Sequence, residues 1–204
     1  MKKLYLVTNS DKYSQEEFLE RVEDALKGGV DIIQLREKEM SDRDILSLGK
    51  KVKKLCDAYK VPMLIDDKPH LAWALGVGVH LGADDMPIDL ARKLLGKHAL
   101  IGATAKSVEA AIDAQEKGAD YLGVGAIFET KTHVKTKRTS VETLIDIKRN
   151  VDIDVYAIGG LNIDNVDILQ DSGVDGICVV RAIMDSPNVE VDSRNLKEKI
   201  ENIL

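Results

Sequence analysis

Short runs of apolar, often β-branched residues alternate along this chain with longer stretches in which apolar positions recur every three to four residues. The first pattern suits a buried strand and the second an amphipathic helix, so their alternation predicts successive βα units feeding one parallel sheet. The predicted strands are Leu4–Val7, Asp31–Leu35, Met63–Ile65, Val77–Leu81, Ala99–Ile101, Tyr121–Val124, Val155–Ile158 and Gly176–Val180. Helical stretches between them include Gln15–Lys27, Asp42–Tyr59, Val108–Lys117, Val141–Arg149 and Asn165–Ser172, and Asn195–Leu204 supplies a terminal helix. Eight such units close on themselves, so the expected fold is α/β, a single (β/α)8 TIM barrel spanning residues 1–204 as one domain.

A weak internal repeat supports that count. Gly29-Val30-Asp31, Gly118-Ala119-Asp120 and Gly173-Val174-Asp175 each precede a strand. The glycine is expected to end a helix in the left-handed conformation and return the chain to the bottom of the sheet. Chemistry is then expected at the opposite, carboxyl ends of the strands.

Charge narrows the choice of partner. Thirty-five acidic against 29 basic residues give a net charge of −6, which disfavours general attraction to nucleic acid or to an anionic membrane. No apolar run approaches the ~18 residues of a membrane span. The apolar stretch after Lys2-Lys3 meets polar residues too soon for a signal peptide. Cys56 and Cys178 lie far apart without metal-type spacing, as suits a reducing cytoplasm. Small-molecule substrates are the expected partners, and self-association into a homo-oligomer stays open.

After the second strand, Gln34-Leu35-Arg36-Glu37-Lys38 sends Gln34, Arg36 and Lys38 to one side by its period of two. A guanidinium and an ammonium there can grip a phosphate, and a surface ion pair with Glu37 or Glu39 is the competing reading. Asp66-Asp67 ends the third strand, and Asp84-Asp85 follows the fourth. If Asp67 and Asp85 both faced a diphosphate, each close like-charge pair would cost about 4 kcal/mol at an effective dielectric of ~20, a conflict that a divalent ion removes. Magnesium, which takes one or two protein carboxylates plus phosphate oxygens and water, fits such a place. Helix capping by Asp66, Asp67 or Asp85 is the alternative.

His80, at the end of the fourth strand, can bond a heterocycle or satisfy itself against a neighbour. The segment Gly123–Arg138 combines hydroxyls with cations and lacks the third glycine of a dinucleotide fingerprint. It can fold over a phosphorylated ligand or remain a solvated loop. Gly159-Gly160 after the seventh strand and Val180-Arg181 after the eighth offer a second anion site, where barrels commonly bind phosphate.

Taken in order, Tyr5-Leu6-Val7-Thr8, Gln34-Leu35-Arg36-Glu37-Lys38, Asp66-Asp67, His80–Asp85, Gly118–Gly125, Thr130-Lys131-Thr132 and Ala157–Gly160 make the chain resemble the thiamine-phosphate synthase family over nearly its whole length. The resemblance implies a compact barrel that joins 4-amino-2-methyl-5-(diphosphooxymethyl)pyrimidine to a thiazole phosphate and releases pyrophosphate. It implies that Asp67 and Asp85 hold Mg²⁺, that Arg36 and Lys38 contact the diphosphate, and that Gln34 contacts the pyrimidine. Thr104 falls where the family uses a serine near the pyrimidine, and His80 occupies its usual place. Thr130, Thr132, Gly160, Val180 and Arg181 fall at the thiazole-phosphate positions.

Some positions depart from the family's pattern. Asp66 stands for an asparagine, His133 for a lysine that contacts diphosphate, Arg181 for a serine, and Ala126 for a proline. On this resemblance Arg36, Lys38 and Thr104 are the expected catalytic groups, and Asp66, His80 and His133 border the substrates. Two further functions remain open, a thiazole-tautomerase-like isomerase without magnesium and a non-catalytic phosphate-binding barrel. The retained Gln34-Arg36-Lys38 set and the two acidic strand ends favour the synthase.

Overall fold

The computed structural model describes residues 1–129 and 138–204. Eight parallel strands, β1 (Lys3–Val7), β2 (Ile32–Leu35), β3 (Met63–Asp66), β4 (Gly78–Leu81), β5 (Ile101–Ala105), β6 (Tyr121–Gly125), β7 (Asp154–Ile158) and β8 (Gly176–Val179), close into a barrel in chain order. Around them run α1 (Gln15–Lys27), α2 (Asp42–Tyr59), α3 (Pro69–Leu75), α4 (Ile88–Leu95), α5 (Val108–Glu116), α6 (Val141–Asn150), α7 (Arg181–Met184) and α8 (Val189–Ile203). Among the described residues no helix is long and apolar enough to cross a membrane.

The helices begin where the sequence supplies an acceptor. The Ser14, Ser41, Ser107 and Ser140 hydroxyls each take the backbone N–H three residues on, at the starts of α1, α2, α5 and α6. Three elements differ from expectation. β5 begins at Ile101 and runs on to Ala105, because Gly102, Ala103, Thr104 and Ala105 are small residues whose strand signal is weak. The helix expected at Asn165–Ser172 is one 3-10 turn, Val166–Leu169. Asn162 and Asn165 there bond backbone N–H groups and compete with a longer helix. The terminal helix starts at Val189, with the Asn188 side chain accepting from Val191 N–H.

Period-two alternation sorts the core into two layers. Leu4, Leu6, Ile33, Leu35, Ile65, Val79, Ile101, Leu122, Val155 and Ile177 face the helices, whereas Tyr5, Val7, Ile32, Leu64, Tyr121, Tyr156 and Cys178 fill the barrel. Three tyrosines fit inside only because neighbours lack side chains. A Cβ on Gly102 would sit 2.0 Å from Cζ of Tyr121. Cys56 and Cys178 are both free and buried.

The glycine repeat closes the bottom of the barrel. Gly29, Gly118 and Gly173 have φ of +91°, +97° and +75°. The aspartate two residues on makes a second, recurring contact. Asp31, Asp120 and Asp175 each accept a 2.7 Å bond from the backbone N–H of the preceding strand, at Leu4, Ile101 and Val155. Each also meets a helix cation, Lys197, Arg92 or Lys148 respectively.

Arg92 in addition donates to the carbonyls of Gly118, Gly96 and Ala99. Arg92→Ala therefore strands several acceptors at once. It is expected to lower unfolding stability by about 2–4 kcal/mol, and Arg92→Lys to recover less than half of that, as read from urea denaturation midpoints.

Candidate active site

The register of the strands brings four adjacent carboxyl ends together in one half of the barrel mouth. Gln34 pairs with Leu64, Asp66 with His80, His80 with Gly102, and Thr104 with Gly123. Leu64 is an interior residue, so Gln34, Asp66, His80 and Thr104 point to the same side. Gln34 is buried at 3% exposure. Arg36 and Lys38 continue that side beyond β2.

The two cations meet the two carboxylates that follow β3. Arg36 Nε lies 3.6 Å from Asp66 Oδ2, Lys38 Nζ lies 2.9 Å from the same oxygen, and Lys38 also pairs with Asp67. Asp66 has 11% side-chain exposure. Burial and the neighbouring Asp67 charge push its carboxyl up to about 6, against the pull of Lys38 and Arg36.

Asp67 has φ +58°, a left-handed conformation uncommon outside glycine. Its N–H donates to His80 O at 2.9 Å. This turn brings its carboxyl into the neighbourhood of Asp85, and the two carboxyls influence each other's protonation. Burial raises Asp67, but Lys38 and the adjoining Asp85 carboxyl outweigh it and hold the carboxyl below its ordinary range. Burial and then Asp67 push Asp85 the other way, upward. Asp85 Oδ2 also accepts from Gly82 N–H at 2.6 Å.

Capping does not explain these aspartates. α3 and α4 start at Lys68 and Pro87 with no side-chain cap bond. Two adjoining carboxyls are an oxygen donor pair of the kind a hard divalent ion takes. Among the described residues no three His, Cys, Asp or Glu side chains gather as a metal cage. The pair thus fits an ion that draws its remaining ligands from phosphate and water, as magnesium does.

His80 is held on both ring nitrogens. Nδ1 lies 3.0 Å from the Tyr121 hydroxyl and Nε2 3.1 Å from Thr104 Oγ1. Tyr121 in turn bonds the Tyr5 hydroxyl at 2.8 Å. Burial pushes the imidazole down to about 4. Between the unfolded value near ~6.5 and that pH the unfolded chain takes a proton that the folded chain refuses, so His80 costs about 3 kcal/mol of stability as pH falls through the window.

Asp66 works in the opposite sense. With its folded value near 6, the folded chain takes the extra proton as pH falls towards the unfolded carboxylate range, which stabilises it. The two effects offset each other between about pH 6 and 4. In metal-free buffer the Asp66→Asn variant is expected to lose stability over that window more steeply than the parent, by up to about 3 kcal/mol in urea titrations.

The other side of the mouth is formed after β7 and β8. Gly159 and Gly160 have φ of +105° and +66°, and a Cβ on Gly160 would lie 2.7 Å from Phe128 Cβ. Only glycine fits this double turn. Val180 precedes α7, and the Arg181 guanidinium bonds Asp185 at 2.8 Å, an aspartate that Lys12 also holds at 3.1 Å. Thr130, Thr132 and His133 lie outside the described residues.

Sequence reasoning passed over two hydroxyl residues behind the cations. The buried Thr8 hydroxyl accepts from Arg36 N–H at 3.3 Å, and Ser10 donates to Glu37 Oε2 at 2.7 Å. Together they fix the backbone that carries Arg36 and Lys38. The available signal was the pair of hydroxyls just beyond β1, where a barrel places its functional ends.

The sequence model of the family described as thiamine monophosphate synthase matches residues 4–183. The chain is 44% identical over 203 residues to thiamine-phosphate synthase 2 of Streptococcus pneumoniae, covering 99% of this chain and 97% of that one. It is 43% identical over 193 residues to thiamine-phosphate synthase of Clostridium acetobutylicum, covering 94% and 92%. Among solved structures it is similar to thiamine phosphate pyrophosphorylase from Pyrococcus furiosus, with a TM-score of 0.90, 36% identity, and 99% and 96% of the two chains covered.

Proposed function

This chain belongs to the thiamine monophosphate synthase family, and from that premise we propose that it is the transferase that joins 4-amino-2-methyl-5-(diphosphooxymethyl)pyrimidine to a thiazole phosphate, with Mg²⁺ held by Asp67 and Asp85. The observation that carries the proposal is the meeting of Arg36, Lys38, Asp67 and Asp85 at neighbouring strand ends. A diphosphate brings several negative charges into a place already lined by carboxylates. Bound there, Mg²⁺ would neutralise the carboxyl pair and stabilise charge on the departing pyrophosphate.

The chain's own groups do the rest. Arg36 and Lys38 take the diphosphate oxygens, with Asp66 holding both cations in place beforehand. Lys38 ends a flexible stem, so its ammonium can exchange Asp67 for a phosphoryl oxygen. Gln34, His80 and Thr104 line the same half of the mouth and receive the pyrimidine. Thr130, Thr132, Gly160, Val180 and Arg181 serve the thiazole phosphate, and His133 borders the diphosphate.

The C–O bond to the diphosphate breaks and leaves a methylene cation stabilised by the electron-rich aminopyrimidine. The thiazole nitrogen then attacks that carbon. Such a route needs charge placement and contact between two substrates rather than a protein nucleophile. Incubation of the two substrates with and without Mg²⁺, assaying thiamine phosphate and pyrophosphate, tests the proposal. Both products are expected in equal amounts with the metal and neither without it, and metal-independent isomerisation of a thiazole phosphate would contradict it.

A further inference from the structure

The hydrogen-bond chain through the barrel has a direction, and that direction assigns a role to its outer end. The Tyr5 and Tyr121 side chains are fully buried, and among the described residues the Tyr5 hydroxyl hydrogen-bonds Tyr121 alone. The Tyr121 oxygen bonds Tyr5 and His80 Nδ1. His80 Nε2 bonds Thr104 Oγ1, and Thr104 is the one hydroxyl in the chain that borders the mouth.

One arrangement gives every buried O–H an acceptor. Tyr5 donates to Tyr121, Tyr121 donates to Nδ1, and Nε2–H donates to Thr104, whose own O–H is left pointing out of the chain. With the proton on Nδ1 instead, that N–H occupies the Tyr121 oxygen. One of the two phenol O–H groups then has no acceptor, at a cost of about 1–3 kcal/mol. An imidazolium leaves the same orphan.

We infer that Tyr5, Tyr121 and His80 are positioning residues that fix Thr104 as an outward hydrogen-bond donor, selecting a substrate ring nitrogen with a free lone pair. This rests on the reading that Thr104 borders the pyrimidine. It deepens that reading, because with the opposite tautomer the Thr104 O–H would be spent on Nε2, whereas here it stays available to a substrate acceptor. A donor kept available in this way pairs with an unprotonated ring nitrogen and leaves an analogue with C–H at that position unpaired.

Nitrogen-15 NMR of histidine-labelled protein, with the His80 resonances assigned through His80→Gln, reads the chain directly near neutral pH. The expected result is a neutral ring with the proton on Nε2, and a proton on Nδ1 or a cationic ring overturns the inference. Thr104→Val is then expected to raise the KM for the pyrimidine diphosphate about 10- to 100-fold, leaving the KM for thiazole phosphate unchanged, while Thr104→Ser restores the parent value. An unchanged pyrimidine KM in Thr104→Val overturns the recognition role even if the tautomer is as expected. Should the parent protein form no thiamine phosphate, the functional reading fails, while the NMR result still decides the direction of the chain.

Discussion

Asp67→Asn and Asp85→Asn are each expected to lower kcat about 1,000-fold or more, with thiamine phosphate formation followed across a magnesium titration. The expected size follows from what the two carboxyls do together. Each supplies oxygen to the same ion, so losing either weakens the ion's hold and uncovers the charge of the diphosphate. The stability of the metal-free variants separates this from misfolding. Burial and the Asp67 charge push the Asp85 carboxyl upward, so an amide at Asp85 relieves repulsion. Metal-free Asp85→Asn is expected to melt at or above the parent's temperature while being nearly inactive. A parallel loss of melting temperature and activity would mean that these residues serve the fold.

Arg36→Ala is expected to reduce kcat/KM for the pyrimidine diphosphate about 100- to 1,000-fold in steady-state assays, with the KM for thiazole phosphate nearly unchanged. Arg36 is held at both ends, its backbone N–H by the Thr8 hydroxyl and its guanidinium Nε by Asp66. Arg36→Lys keeps the charge but loses the planar fork, and is expected to recover only part of the activity. Lys38→Met should behave like Arg36→Ala, since the loss is one of charge and the stem is preserved. Equal effects on both substrates would instead point to a general disturbance of the mouth.

The architecture was readable where the local signals were strong. α1 and α2 occupy the expected residues, Gln15–Lys27 and Asp42–Tyr59, because a serine cap marks each start and an apolar stripe runs their length. The 3-10 turn at Val166–Leu169 replaced a helix because asparagine side chains there took the backbone groups that a helix would use. β5 was read too early because alanine and glycine carry little strand preference.

In the site, period-two alternation was enough to place Arg36 and Lys38 on one side, and the aspartates at strand ends were visible as a pair. What alternation did not reveal was the partner of each cation, since Asp66 and Asp67 lie far along the chain and meet Lys38 only through the barrel's register. The left-handed turn at Asp67, which aims its carboxyl at Asp85, has no glycine to announce it. Nor is the Tyr5–Tyr121–His80–Thr104 chain legible in a linear reading, because its links join four strands across 116, 41 and 24 residues.

Calorimetric titration of the protein with pyrophosphate, in Mg²⁺ and again in EDTA, tests the carboxyl pair most directly, because it needs neither turnover nor the second substrate. Saturable binding in Mg²⁺ that weakens about 100-fold or more in EDTA, and equally in Asp67→Asn, is the expected result. Pyrophosphate that binds as tightly in EDTA as in Mg²⁺, or as tightly to Asp67→Asn as to the parent, would contradict a metal bridge between Asp67, Asp85 and the leaving group.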